Sequence, residues 1–154
     1  MKQDILVPYD GSANATQALR VAIDMAKAFN EKIVLLNVQP SFETPHTKRF
    51  FNLEQIHEYR LQMAAETIQP GENILKQSGV KYITKMRVGD PREQICQEAR
   101  ADSEEGAVCK DRGVRLIVMG SRGLNAVLGT VMGSVSMGVL HNAPCPITIV
   151  PYSC

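Results

Sequence analysis

Residues 5–38 read ILVPYDGSANATQALRVAIDMAKAFNEKIVLLNV, and this stretch decides the fold. Ile5 to Tyr9 and Lys32 to Val38 are short apolar runs rich in β-branched residues, the pattern of strands buried on both faces of a parallel sheet. Between them Ala15, Leu19, Ala22, Ile23 and Ala26 recur at spacings of three and four, a helical stripe, with Ser12 placed to cap its start. A strand, a helix and a strand with no hairpin turn between them form a right-handed crossover unit.

The unit repeats down the chain. Further strands are expected at Lys81 to Val88, Arg115 to Gly120 and Ile147 to Val150. Ser41 to Phe51 reads as a loop, followed by a helix from about Asn52 to Ser78 that Pro70 should kink or interrupt and Gly79 should end. Asp90, Pro91 and Glu93 supply a cap, a first-turn proline and a capping-box acid for the next helix, and Gly133 and Ser134 open another. Residues Asp102 to Arg112 fall in a charged, glycine-containing insertion before the fourth strand. The expectation is an open α/β sheet, in a single domain spanning residues 1–154. Lys81, Lys85 and Arg87 share one face of the third strand and mark it as an edge. The last strand (Ile147, Thr148, Ile149, Val150) lacks such charges, so it is expected to pair with its own copy in a homodimer.

With 154 residues, 44% hydrophobic and 21% charged, the composition is that of one soluble globular domain. Lys plus Arg number 17 against 16 acidic residues, with no basic stripe, which argues against nucleic-acid binding. The long uncharged stretch between Arg122 and His141 holds eight Gly, Asn, Thr or Ser in 18 residues, too polar for a membrane span. Cys96, Cys109, Cys145 and Cys154 form no Cys-x-x-Cys pair, and no apolar leader opens the chain, so free thiols in the cytoplasm are expected.

In an open α/β sheet, ligands bind beyond the carboxyl ends of the strands where strand order reverses. The first strand ends Pro8-Tyr9-Asp10-Gly11-Ser12, and the fourth ends Met119-Gly120-Ser121-Arg122-Gly123. Five of the 11 glycines (Gly120, Gly123, Gly129, Gly133, Gly138) fall within 19 residues there. Glycine lets backbone take positive φ or approach a phosphate closely, and the amides at the start of the following helix then face the anion. Arg122 is either a solvated loop residue or a phosphate contact. Asp10 either serves the start of the first helix or hydrogen-bonds a base or ribose. No Gly-Lys dipeptide exists for a Walker loop, no Gly-x-Gly-x-x-Gly occurs, and Ser134-Val-Ser136-Met-Gly138 lacks the downstream acid of a nucleophile elbow. His46, His57 and His141 have no metal-ligand spacing.

Gly120-x2-Gly123-x9-Gly133-Ser134 resembles the nucleotide-binding motif G-2x-G-9x-G-(S/T) of the universal stress proteins, in their UspA-like ATP-binding class. The resemblance extends to Ile-Leu-Val-Pro-Tyr-Asp-Gly-Ser at the first strand, Val-Gly-Asp-Pro after the third and Cys-Pro-Ile-Thr-Ile-Val-Pro near the last. It implies strand order 3-2-1-4-5, a homodimer through the last strand, and ATP, AMP or ADP as ligand, with Mg or Mn held by the phosphates' own oxygens. It also implies that Pro8 and Asp10 approach the adenosine, Val38 offers backbone to base or ribose, and Met119 and Gly120 lie under the nucleotide. Gly123, Gly133, Ser134 and Val135 would hold the phosphates. The function implied is regulatory, through nucleotide-dependent conformation or partner binding. A slow ATPase or nucleotidyl-transfer enzyme using Asp10 and a metal, and a nucleotide-free dimeric scaffold, are the rival readings.

Overall fold

The computed structural model describes residues 4–41, 44–101, 113–123 and 132–152. The insertion at Asp102 to Arg112, Cys109, Gly129 and Cys154 lie outside them. The described elements are β1 (Asp4–Pro8), α1 (Ala13–Phe29), β2 (Lys32–Gln39), α2 (Thr47–Phe50), α3 (Leu53–Ser78), β3 (Tyr82–Val88), α4 (Pro91–Arg100), β4 (Val114–Gly120), α5 (Ser134–Asn142) and β5 (Ile147–Val150). The sheet order is β3-β2-β1-β4-β5 with every neighbouring pair parallel, as expected.

Side chains alternate across the sheet, so each central strand feeds two cores. Ile5, Val7, Ile33 and Leu35 face α1 and α3, where they meet Ala18, Leu19, Ala22, Ile68 and Leu75. Leu6, Val34, Leu36 and Ile117 face the other way, onto Ile95, Cys96 and Ala99 of α4 and Val139 of α5. Most of these side chains have no exposed surface, and full burial of each Leu, Ile or Val contributes about 1.5–3 kcal/mol.

Three local readings need correction. The helix at 53–78 runs unbroken through Pro70, so the proline does not interrupt it. Pro70 is exposed, so the carbonyl left without an amide partner lies on the solvent side of the helix, where water replaces the missing donor. Next to it, Gly71 is buried against the ring of Tyr9, and a Cβ on it would stand 3.0 Å from Tyr9 Cζ. The second correction is that α2 forms one turn inside the stretch read as loop, after which Asn52 and Gln55 make a reciprocal capping box for α3. Third, Asp90 does cap α4, its carboxylate accepting from Arg92 N, but the Glu93 carboxylate takes the amide of Gln97 at 3.0 Å one helical turn on.

The end of the sheet away from the strand carboxyl termini is clamped separately. Between the β1–β4 pairs Asp4↔Val114 and Ile5↔Leu116 the register shifts at Arg115. Arg115 grips Glu31 with Nε and Nη2, both at 2.7 Å, and lies 4.9 Å over the Phe29 ring.

Candidate functional site

The order β3-β2-β1-β4-β5 reverses between β1 and β4, so the crevice expected of such a sheet opens where these two strands end. On the β1 side, Pro8 is half-buried at the strand end and Tyr9 N donates to Leu36 O at 2.8 Å. The chain then turns through Gly11 at φ +81°, a left-handed conformation that side-chain-bearing residues rarely adopt. Asp10 Oδ1 accepts from Ser12 N at 3.0 Å, and Ser12 Oγ caps α1 by accepting from Ala15 N at 3.0 Å. Asp10 therefore does serve the start of the first helix. Its other oxygen faces across the crevice, where a Cβ on Gly123 would stand 2.7 Å from Oδ2.

On β2, alternation turns the N–H and C=O of Val38 toward the β1 side, just past the point where Tyr9 leaves the sheet. The Val38 side chain packs on the second core. Beside it Asn37 Nδ2 donates to Tyr9 O at 3.0 Å and Gln39 Nε2 to Asn37 Oδ1 at 2.6 Å, a buried polar relay that satisfies the end of β1.

The β4 side is a closed neck. Gly133 N donates to Ser121 O at 2.6 Å, and the buried Ser136 hydroxyl spans the carbonyls of Ser121 (2.9 Å) and Gly133 (3.0 Å). These bonds bring Ser121 and Gly133 together although twelve positions separate them in sequence. Met119 is buried in the second core, so its side chain is occupied there. Among the described residues positive φ occurs at Gly11, Gly79, Gly89, Gly113 and Asn30, not at the spaced glycines. Gly120 and Gly123 are needed for close approach: a Cβ would stand 2.7 Å from Asn14 Cγ at the first and 2.7 Å from Asp10 Oδ2 at the second. A Cβ on Gly133 would meet nothing nearer than 3.5 Å.

Gly133 is the N-cap of α5, at φ −80° and ψ 167°, and, having no side chain, it makes no capping bond to the first amides of the helix. Those amides, at Ser134 and Val135, carry the positive end of the helix dipole toward the neck. Ser134 is exposed and Val135 half-buried. Arg122, whose Cα would lie 3.7 Å from a Cβ on Gly133, has its Nε buried with no hydrogen-bond partner among the described residues. An arginine with a spare guanidinium donor next to a helix start whose cap has no side chain is a chemical fit for a phosphate.

Asn14 is the site residue that sequence reading missed. It is 3% exposed and joins α1 to Ser121, Arg122 and Val150. The available signal was positional: Asn14 continues the buried row Ala18, Ala22, Ala26 at spacings of four, and a polar side chain on an apolar row must find partners.

The sequence profile of the universal stress protein family matches residues 1–151. The chain belongs to this family. A universal stress protein of Thermus aquaticus, from the 3′ region of the QAH/OAS sulfhydrylase, is 31% identical over 97% of this chain and 99% of its own length. Among solved structures, the universal stress protein UspA of Lactobacillus plantarum superposes with a TM-score of 0.76 at 22% identity, covering 96% of this chain and 97% of that one. An Arabidopsis thaliana family member with AMP bound gives 0.61 at 22% identity, over 96% of this chain and 90% of that one. The Archaeoglobus fulgidus universal stress protein in complex with dAMP gives 0.65 at 19% identity, over 97% of each chain. These likenesses establish the shared fold. Among the described residues no three His, Cys, Asp or Glu side chains converge on a possible metal position, and no helix is long and apolar enough to cross a membrane.

Proposed function

We propose that this universal stress protein binds an adenine nucleotide, ATP foremost and AMP or ADP alternatively, in the crevice between β1 and β4. The observation that carries the reading is the start of α5, whose N-cap Gly133 has no side chain to occupy the first amides, beside Arg122, whose buried Nε has no hydrogen-bond partner among the described residues. Gly123, Gly133, Ser134, Val135 and Arg122 hold the phosphates. Pro8, Asp10 and the Val38 backbone meet the adenosine, and Gly120 and the backbone of Met119 lie under the nucleotide. Mg or Mn, where present, rides on the phosphate oxygens. AMP in the Arabidopsis relative and dAMP in the Archaeoglobus one support an adenine ligand here.

The nucleotide acts as a signal, changing conformation or partner choice in the cytoplasm, rather than as a substrate. Asp10 faces Gly123 across the crevice, and its Oδ1 already accepts from Ser12 N. The chain has no Trp and four Tyr, so co-purified nucleotide stands out at 260 nm, and mass spectrometry of the denatured supernatant identifies it. Millimolar ATP should raise the melting temperature, and Gly123→Val should abolish that rise. Nucleotide-free protein whose melting temperature ATP leaves unmoved overturns the reading. Phosphate release near one turnover per second or faster, within the usual enzyme range, favours the ATPase instead.

The homodimer belongs to the same proposal. Ser121 N pairs with Val150 O and Ile117 N with Pro146 O, so the N–H and C=O of Ile147 and Ile149 point away from β4 along the open edge of β5. Ile149→Pro deletes one outward donor and spares the β4 ladder. It should therefore shift sedimentation from dimer to monomer.

A further inference from the structure

At the end of β4 a primary amide is used on both sides. Asn14 Oδ1 accepts from Arg122 N at 2.9 Å and from Ser121 Oγ at 3.3 Å, and its Nδ2 donates to Val150 O at 3.1 Å. The residue is buried, and its bond to Ser121 Oγ is buried with it, so a lost partner is expensive. Gly120 lies directly against this amide. A Cβ there would stand 2.7 Å from Asn14 Cγ, 2.8 Å from Oδ1 and 3.1 Å from Nδ2, well inside contact distance of three atoms whose positions are all fixed by hydrogen bonds. The first of the spaced glycines thus makes room for a side chain of its own protein. Gly123 differs, since its close neighbour is the carboxylate of Asp10.

We propose that Gly120 and Asn14 form one positioning unit. The missing Cβ at 120 seats the Asn14 carboxamide, and the carboxamide fixes the backbone of Ser121 and Arg122. That backbone sets where the phosphate-facing segment leaves the sheet, because Ser121 O is also the acceptor that closes the neck to Gly133. Asn14 touches no ligand in this arrangement. It acts through Arg122 N and Ser121, so its contribution falls on phosphate recognition, while the adenosine end near Pro8 and Val38 is unaffected. The inference rests on the nucleotide reading above.

A four-protein cycle tests it: the unaltered chain, Asn14→Ala, Gly120→Ala and the double variant, each titrated calorimetrically with ATP and with adenosine and melted in parallel. Asn14→Ala should weaken ATP about tenfold, the weight of one well-placed hydrogen bond, and leave adenosine within about twofold. Gly120→Ala should do the same, because it expels the amide. The decisive arm is the double variant. Without the Asn14 side chain a methyl at 120 has nothing to strike, so the double variant should bind ATP no worse than Asn14→Ala alone. Full additivity overturns the inference, since it would mean that Gly120 spaces the ligand itself. So does an equal fall in ATP and adenosine affinity that tracks melting temperature, the mark of a purely structural residue. Unchanged ATP affinity in Asn14→Ala overturns it as well. If the unaltered chain binds no ATP, the nucleotide reading falls first and this inference with it. Should Asn14→Ala not fold, Asn14→Ser takes its place, because its hydroxyl satisfies itself locally near the helix start but does not span to Arg122 and Val150.

Discussion

The carboxylate of Glu98, on α4, takes the guanidinium Nε of Arg87, on the edge strand β3, at 2.6 Å. Its second oxygen takes Lys85 Nζ, also at 2.6 Å. Burial disfavours the charge on Glu98, but the hydrogen bonds and charges of Lys85 and Arg87 together outweigh it and hold the carboxyl below its ordinary 4.5. Glu98→Gln should cost about 2 kcal/mol at neutral pH, because the charge-assisted bonds go and two cations lose their counter-ion. A depressed folded-state value means that the contribution is complete above the unfolded value of 4.5 and disappears as pH falls through the lower folded value. Urea unfolding of both proteins at neutral and acid pH should show the gap closing on the acid side.

Asp90 caps α4 and pairs with Arg92, whose side-chain hydrogen bonds hold its carboxyl down from 3.8 to about 2. Asp90→Ala should destabilise by about 1 kcal/mol, the usual weight of an N-cap. Asp90→Asn keeps the bond to the Arg92 amide and should fall between the two. In the window from 3.8 down to about 2 the unaltered protein loses this stabilisation and Asp90→Asn does not, so thermal melts across that window distinguish cap from charge.

Pro70 lacks an amide in the interior of α3 yet faces solvent. Pro70→Ala restores the donor, and the helix gain exceeds the lost stiffening of the unfolded chain, for a net rise of about 2 kcal/mol. Equilibrium denaturation measures it; a decrease would mean that the proline sets the approach of Gly71 to Tyr9.

Arg115 meets Glu31 with two parallel bonds and covers Phe29. A lysine there supplies one donor group and no plane. Because Arg115 is partly solvated, Arg115→Lys should cost about 1 kcal/mol or less in urea unfolding, and ATP binding at the far end of the sheet should not change.

The strands and their order were legible in the chain because parallel strands buried on both faces write themselves as uninterrupted apolar runs, as Ile5 to Val7 and Ile33 to Leu36 do. Asp10, Gly123 and Gly133 were legible as rim residues because each follows or precedes a recognisable element. Asn14 was not, since its partners lie 107 to 136 positions away and only the folded sheet brings them together. Asn37 was hidden inside a strand pattern for the same reason, its partner Tyr9 lying on the neighbouring strand segment, and Gln39 is linked to the site only through Asn37. The interruption expected at Pro70 came from a local rule that registers a missing amide but not which side of the helix meets water. The error at Glu93 came from a competing partner, Gln97, at the spacing that favours side-chain pairing along a helix.

Val150 O receives both Ser121 N and Asn14 Nδ2, and this has a consequence for the newborn protein. A chain leaves the ribosome from its N-terminus, so α1, β1 and the whole neck emerge before β5 does. Until Val150 is released and docks, the Asn14 amide and the start of the neck each want a partner, and β4 presents a bare edge. The crevice end of the sheet is therefore completed only when β5 docks against β4.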